Sequence, residues 1–221
     1  MDTLLIRLIG PMQSWGVQSH YTVRDTGLEP SKSGVMGLLC AALGRPRQAP
    51  LEDLLVLRMG VRVDREGILS RDYHIAQDVL ETDNKKIRES VVTNRYYLAN
   101  AAFLVGFEGD PGILSELQAA LQKPVWALFL GRKAFPPSAP IFLQDGLQAG
   151  KTLEQALMEY GWIVSWRKGE EPNQIRVVID SNEGKQVRPD VPVSFATRRF
   201  ASRRVNTFFI PAPTSPCIEV M

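Results

Sequence analysis

Apolar positions along this chain occur either in short strand-like runs or at helical spacing. The strand-like runs predict four strands in the first 130 residues. Thr3–Ile9 is a short apolar run of the kind found in strands buried on both faces. Leu55–Val63 alternates, with Arg58 and Arg62 on one side, as a strand with one packed face and one charged face requires. The other two predicted strands are Ala101–Phe107 and Val125–Leu130.

Two segments have helical spacing instead. Ser33–Leu43 carries apolar residues every three or four positions, with serines at its start for capping and Gly44 suited to close it. A second helix is predicted to open at Asp110 and Pro111 and to end before Pro124. The order of strand, helix, strand, strand, helix, strand predicts an α+β fold of the ferredoxin-like, or RNA-recognition-motif-like, type, whose sheet commonly leaves one face free for nucleic acid.

The segment between the second and third predicted strands, residues 64–100, is far longer than an ordinary hairpin connection. Its six basic and seven acidic residues nearly cancel. The flanks pair arginines with aromatic residues, whereas Glu81–Glu89 is strongly polar. We therefore expect a thumb-like hairpin with an ordered base and a mobile tip.

The predicted ferredoxin-like domain covers residues 1–137, and residues 138–221 are expected to form a smaller, mostly β C-terminal region. In that region the pattern predicts a short helix at Leu153–Met158, a hairpin at Trp162–Asp180 and a strand at Val205–Ile210. Lys185–Arg204 contains six basic residues and one acidic residue, a net charge of +5, interleaved with Phe195 and Phe200. This is the strongest charge cluster in the chain.

Composition narrows the function classes. The chain has 221 residues, of which 44% are hydrophobic and 23% charged, as in ordinary globular proteins. Because the net charge is only +2, an anionic partner must be met by a local patch. Two cysteines give neither a disulfide framework nor a metal site, so a reducing cytoplasm is expected. We expect no cofactor, no membrane span and no signal peptide.

The start of the first helix is a candidate anion site. Lys32, Ser33 and Gly34 could cradle a phosphate at the free N–H groups, although ordinary serine capping beside a solvated lysine explains the same residues. A nucleotide-binding P-loop is excluded, because the order is Ser-Lys-Ser-Gly rather than Gly-Lys-Ser.

Basic residues interleaved with aromatic ones suit single-stranded RNA, since the charges offset phosphate repulsion while planar rings stack on unpaired bases. The candidate RNA-binding residues are Gln13, Trp15, His20, Tyr21, Arg24, Lys32, Ser33, Arg71, Tyr73, His74, Arg95, Tyr96, Arg132, Lys133, Arg198 and Arg199. For each of them a solvated charge or a core aromatic ring is an open alternative, and the core alternative applies above all to Trp15 and to the neighbouring aromatic Tyr97. A metal-independent ribonuclease would need a base, an acid and a cation, for which His20, His74, Tyr73 and Lys133 are available. A protein scaffold without RNA contact is the third possibility.

Five motifs in order resemble the fifth family of CRISPR-associated (Cas) proteins, in its type I-E form. They are Gly10–Gly16, Pro30–Leu39, Arg71–His74, Asn94–Leu98 and Gly131–Lys133, and the resemblance covers most of residues 3–137. One departure is Ile75, where the family pattern has threonine.

The resemblance implies a ferredoxin-like subunit, present once in the Cascade complex, that binds the 5′ handle of CRISPR RNA and caps one end of the complex. It implies contacts with the backbone subunit CasC and the large subunit CasA, and a thumb formed by residues 64–100. It also implies no catalytic residue, because another subunit, CasE, cuts the RNA in this subtype. In a related subtype the family member is itself an endonuclease that uses tyrosine, lysine and histidine, but Ala134 stands here where a histidine would follow Lys133.

Overall fold

The structure is a computed structural model that describes residues 1–18, 22–80, 86–167 and 169–213. These residues form the following elements: β1 Asp2–Ile9, β2 Met12–Gln13, β3 Val23–Arg24, α1 Lys32–Leu43, α2 Glu52–Leu55, β4 Arg58–Arg65, β5 Ile68–Leu80, β6 Ile87–Ala99, β7 Ala102–Gly109, α3 Pro111–Gln122, β8 Phe142–Gln148, α4 Leu153–Glu159, β9 Gln174–Asp180, β10 Gln186–Ser194 and β11 Arg199–Pro211. Within this part of the chain no helix is long and apolar enough to cross a membrane.

The fold is a mixed α/β arrangement built on two sheets that are mostly antiparallel. The larger sheet has the strand order β10-β11-β9-β4-β7-β1-β8, and all neighbours in it are antiparallel. Helices α1 and α3 pack on one face of this sheet, and α4 with residues 160–164 packs on the other. The expectation of one free sheet face is therefore wrong, because a second apolar cluster covers it.

Both predicted long helices are confirmed, together with their caps. The Ser31 hydroxyl accepts the Gly34 N–H, and Gly44 closes α1 with a left-handed φ of 71°. Asp110 caps α3 through the N–H groups of Gly112 and Ile113. Local residue chemistry is sufficient to define these ends.

The second predicted strand is present as β4, but both of its faces are buried instead of one. β4 begins at Arg58, because Glu52–Leu55 forms the helical turn α2 instead of strand. The side of β4 that was expected to carry solvated charge is buried: Arg62 forms an ion pair with Asp64, 2.7 Å from Nε to Oδ1, and neither side chain is exposed. Its guanidinium also donates to the carbonyl groups of Leu157 in α4 and Gly161 just after it, which satisfies a charge placed inside the core.

The predicted strand at Val125–Leu130 is wrong. Val125 and Trp126 donate their N–H groups to the carbonyl groups of Ala42 and Ala41 at the end of α1, and the segment runs on as irregular chain. An apolar run of six residues does not by itself specify a strand, and here Val125 and Trp126 are exposed while Leu130 is buried. The place beside β1 is taken by β8, later in the sequence.

The C-terminal region joins the same sheet on both sides. β8 lies at one edge beside β1, while β9 pairs with β4 and carries β11 and β10 beyond it. The short helix and the last strand are confirmed as α4 and β11, but the predicted hairpin at Trp162–Asp180 is wrong, because β9 pairs with β4 and β11. A division into domains at residue 137 stays a prediction, although the sheet continues across it.

The long insertion is a hairpin, as predicted. β5 and β6 pair from Ile68 opposite Ala99 to Leu80 opposite Ile87, interrupted only at Asp78, and form a ribbon about 40 Å long at about 3.4 Å per residue. The predicted mobile tip, Glu81–Glu89, lies partly outside the described residues, while Ile87–Glu89 belongs to β6. β2 and β3 pair with the other edge of β6.

Candidate nucleic-acid interface

The first loop and the hairpin meet along β6. Val23 and Arg24 of β3 pair in parallel with Asn94 and Arg95, and the Asn94 N–H donates to the Thr22 carbonyl at 2.8 Å. Side chains at the same register on neighbouring strands project to the same face of a sheet. Arg24 and Arg95 therefore lie side by side.

A tight turn at residues 130–135 brings a third arginine to this place. The Leu130 N–H donates to the Phe135 carbonyl at 2.8 Å, and the Ser14 N–H donates to the Leu130 carbonyl at 3.1 Å. Gly131 has a φ of 86°, and a Cβ atom there would lie 1.7 Å from the Ser14 carbonyl oxygen. Only glycine permits this approach. Arg132 then donates from Nη2 to the carbonyl groups of Tyr96 at 2.9 Å and Arg24 at 3.3 Å.

Arg24, Arg95 and Arg132 form what we call the three-arginine cluster. Burial lowers the pKa of Arg132, and the positive charges of Arg95 and Arg24 lower it further, against the opposing effect of Asp25 and Asp72. Among the described residues none of the three guanidinium groups is within ion-pair distance of a carboxylate. Such a cluster attracts an anion, because a phosphate would relieve the repulsion.

The surrounding side chains hold the cluster in position. The Phe135 ring lies 5.5 Å from the Arg132 guanidinium, and Tyr97 packs on Phe135 with ring centroids 6.0 Å apart. The Arg95 Nε donates to the Thr93 hydroxyl at 3.1 Å. Sequence reasoning missed Phe135 and Thr93. The only signal for this arrangement was the Gly-Arg pair that follows an apolar run.

The hairpin candidates lie on two faces instead of one. Arg71 is opposite Tyr96, so they share a face with Tyr73, whose side chain is 59% exposed. His74 is opposite Thr93 on the other face, which also carries Arg95. Successive residues of a strand point to opposite faces. The structure therefore separates Arg71, Tyr73 and Tyr96 from His74 and Arg95.

Gln13 and Trp15 belong to the interior. The Gln13 amide donates to the carbonyl groups of Ala101 at 2.8 Å and Leu8 at 3.1 Å, and its oxygen accepts the Trp15 indole N–H at 3.2 Å. Trp15 is only 1% exposed and lies against Gly34 of α1. Both side chains hold the first loop on the core, so neither enters the site.

The predicted phosphate cradle at the start of α1 is filled by the chain itself. The Lys32 N–H donates to Asp190 at 2.7 Å, and its ammonium group is buried against Asp180 Oδ2 at 2.9 Å and the Leu57 carbonyl at 2.8 Å. Arg203 in turn contacts both Asp180 and Asp190. Lys32, Asp180, Arg203 and Asp190 form what we call the buried ion network. Ser33 is half-buried beside it.

Two of the six basic residues in the C-terminal charge cluster are paired with carboxylates, while Lys185 and Arg204 are exposed. Arg203 belongs to the buried ion network, and Arg188 forms an ion pair with Glu29 at 3.0 Å. Arg198 and Arg199 are exposed at the turn between β10 and β11, and Lys133 is exposed next to Arg132. His20 and Tyr21 lie outside the described residues. Within the described ranges no group of three or more His, Cys, Asp or Glu side chains could hold a metal ion.

The geometry therefore defines a mixed α/β protein with a projecting hairpin and a cluster of three arginines at its base. Residues 3–206 match the model of the CRISPR-associated Cas5 protein family. The chain belongs to this family.

Its relatives agree with that assignment. It is 33% identical over 216 residues to the CRISPR system Cascade subunit CasD of Escherichia coli strain K12, covering 90% of this chain and 92% of that protein. A crystal structure of a Cas protein superposes with a TM-score of 0.79 at 41% identity, covering 97% of this chain and 99% of the other. A chain of a CRISPR RNA-guided surveillance complex also has a TM-score of 0.79, at 30% identity, covering 98% of this chain and 93% of the other.

Proposed function

We propose that this protein is a non-catalytic subunit of a CRISPR Cascade surveillance complex that binds the 5′ handle of CRISPR RNA and caps one end of the complex. The observation that carries the proposal is the three-arginine cluster, where the first loop, the hairpin and the 130–135 turn meet with no carboxylate of the described residues within ion-pair distance. The relation to CasD and to a chain of an RNA-guided complex supports the setting. We expect one copy per complex, in the cytoplasm.

The proposed fold type is ferredoxin-like. Its support is the chain order β1, α1, β4, β7, α3, β8 together with the sheet order β8-β1-β7-β4, in which all neighbours are antiparallel. That is the split βαβ arrangement shared with RNA-recognition motifs. Because α4 covers the second sheet face, RNA is expected at the end of the sheet near the first loop.

The proposed RNA contacts fall into three groups. The three-arginine cluster with Lys133 would hold consecutive backbone phosphates. Arg71, Tyr73 and Tyr96 offer a stacking surface with a flanking charge on the opposite hairpin face. Arg198 and Arg199 are exposed and add a third basic position. The far part of the hairpin and the surfaces beside it would contact the subunits CasC and CasA.

Cleavage of the repeat RNA by this chain is the less favoured function. Tyr73 and His74 lie on opposite faces of β5, so they cannot act together on one phosphate without a rearrangement of the hairpin. Lys133 follows Arg132 directly in the chain and His74 shares a hairpin face with Arg95, while His20 lies outside the described residues. The arrangement therefore favours RNA retention over RNA cleavage.

The test is binding of the full-length chain to end-labelled CRISPR repeat RNA across a salt series, with and without chelator. Arg132→Ala should weaken handle binding by about tenfold and lower the salt slope by about 0.7, the value for one lost phosphate contact on a single strand. Arg47→Ala removes an equal charge from an exposed position outside the site and is the matched control. Equal binding by both variants would contradict the proposal, and specific cutting that is lost in His74→Ala would favour the nuclease.

A further inference from the structure

Arg176 of β9 bridges the two segments that carry the RNA site, although it lies outside that site. Its Nε and Nη2 donate to the two carboxylate oxygens of Glu66, at 2.9 and 2.7 Å. Its Nη1 donates to Glu29 at 2.8 Å, and Nη2 also reaches the Leu28 carbonyl at 3.3 Å. The side chain is only 14% exposed. All three nitrogen atoms of the guanidinium are thus occupied by the chain itself.

Glu29 and Glu66 each anchor one segment of the site. Glu29 lies in the first loop, between Arg24 and the Ser31 cap of α1, and Arg188 of β10 contacts its other carboxylate oxygen. Glu66 lies between β4 and β5, directly before Gly67, where the chain turns into the hairpin with a φ of 75°. One guanidinium therefore connects the first loop, the hairpin entry and the core sheet.

The other strand of the hairpin is fixed at the same level. Asn100 leaves β6 with a φ of 56°, its N–H donates to the Pro11 carbonyl at 3.0 Å, and its carbonyl accepts from Arg65 at 2.5 Å. Both chain crossings between hairpin and core thus use left-handed residues. Arg65 and Pro11 restrain the exit of the hairpin in this way, and the Arg176 contacts restrain its entry at Glu66.

We propose that Arg176 is a positioning residue for RNA binding, which holds the first loop and the hairpin entry against the core sheet so that Arg24 and Arg95 stay beside Arg132. The inference rests on the proposed RNA-binding function. Arg132 reaches the site from the 130–135 turn, whereas Arg24 and Arg95 reach it through the segments that Arg176 anchors. The carboxylate of Glu66, together with that of Glu29, raises the pKa of Arg176 and keeps it charged.

The proposal predicts a loss of affinity without a loss of a phosphate contact. In the same salt series, Arg176→Ala in the full-length chain should weaken binding to the repeat RNA by about five- to tenfold at fixed salt, with the slope unchanged. Arg176→Lys should weaken it nearly as much, because an ammonium group cannot bridge two carboxylates as the planar guanidinium does. Arg47→Ala, which removes one charge elsewhere, should bind as the parent chain does.

Amide hydrogen exchange provides a second readout. In Arg176→Ala the amides of Asn100 and Asn94, which join the hairpin to residues 11 and 22, should exchange faster, while those of β1 and α1 keep their protection. If β1 also loses protection, Glu66→Gln replaces the variant, since it disturbs only the hairpin entry. It should weaken binding less, again with an unchanged slope.

Each other outcome would overturn the inference. A slope lowered by about 0.7 in Arg176→Ala would make Arg176 a direct phosphate contact. Parent-like binding by Arg176→Lys would show that charge alone is needed, and parent-like binding by both Arg176→Ala and Glu66→Gln would show that the hairpin is held without it. These results leave the proposed function intact as long as Arg132→Ala weakens binding, whereas failure of Arg132→Ala to do so would remove the function itself.

Discussion

The three-arginine cluster and the buried ion network both contain basic side chains, but within the part of the chain that the structure describes these are unpaired in the cluster and paired with carboxylates in the network. Arg24, Arg95 and Arg132 repel one another, and none of them has a carboxylate partner among the described residues. Lys32 and Arg203 face Asp180 and Asp190, so their charges cancel within the fold. The comparison teaches that a basic residue indicates an RNA contact only when the fold leaves it unpaired, and local sequence does not contain that information.

A substitution at Asp180, in the buried ion network, is expected to have the largest effect on stability. Asp180→Ala leaves Lys32 and Arg203 buried with only Asp190 to offset them, and loss of one partner from a buried ion pair costs about 3 to 5 kcal/mol. We expect a decrease of that size in the free energy of unfolding, measured by urea denaturation. The folded fraction should bind RNA with the parent salt slope. A stability change below about 1 kcal/mol would mean that the network is solvated.

Lys32 gives a smaller and sharper test, because the sequence pattern made it an RNA candidate. Lys32→Met removes the ammonium group of a side chain that is only 6% exposed, but leaves Asp180 paired with Arg203 and the Met59 N–H. The free energy of unfolding should fall by about 1 to 3 kcal/mol. The salt slope of RNA binding should not change, in contrast to Arg132→Ala. A slope lowered to the same extent as in Arg132→Ala would support the original prediction that Lys32 contacts a phosphate.

The smallest expected effect is on acid stability. Burial alone would raise the pKa of Asp180, but the charges of Arg203 and Lys32 outweigh it and hold the pKa below its ordinary value. A carboxyl group with a lowered folded-state pKa stabilises the protein fully above its unfolded pKa of about 3.9, and loses this contribution as pH falls through the folded value. The difference in stability between parent and Asp180→Asn should therefore shrink below about pH 4. Glu116→Gln, at an exposed position, serves as the control substitution.

Sequence reasoning succeeded where neighbouring residues decide the structure. The ends of α1 and α3 follow from Ser31, Gly44 and Asp110, and the hairpin follows from its length and flanking residues. It failed where partners are distant along the chain. Asp190 and Asp180 lie 158 and 148 positions from Lys32, so no local pattern could show that the start of α1 is already occupied.

The candidate site shows the same division. The Gly-Arg-Lys motif drew attention to Arg132, but the convergence of Arg132 with Arg24 and Arg95 depends on the pairing of β3 with β6. The separation of Tyr73 from His74 follows from strand alternation once β5 is known to be a strand. Val125–Leu130 was misread because composition alone does not distinguish a strand from a coil packed on the end of a helix.

Because β6 pairs with β2 and β3 on one edge and with β5 on the other, the order of synthesis determines when the first loop can fold. β2 and β3 are translated early, but the strand on which they rest ends at residue 99, and Arg132 follows Arg24 by 108 positions. At about 5 to 20 residues per second, the ribosome takes about 5 to 20 s to cover that distance. Until β6 has been synthesised, β2 and β3 have no strand to pair with. The contact between Glu29 of the first loop and Arg176 forms later still. The three-arginine cluster is therefore not assembled in a nascent chain until most of that chain has been synthesised.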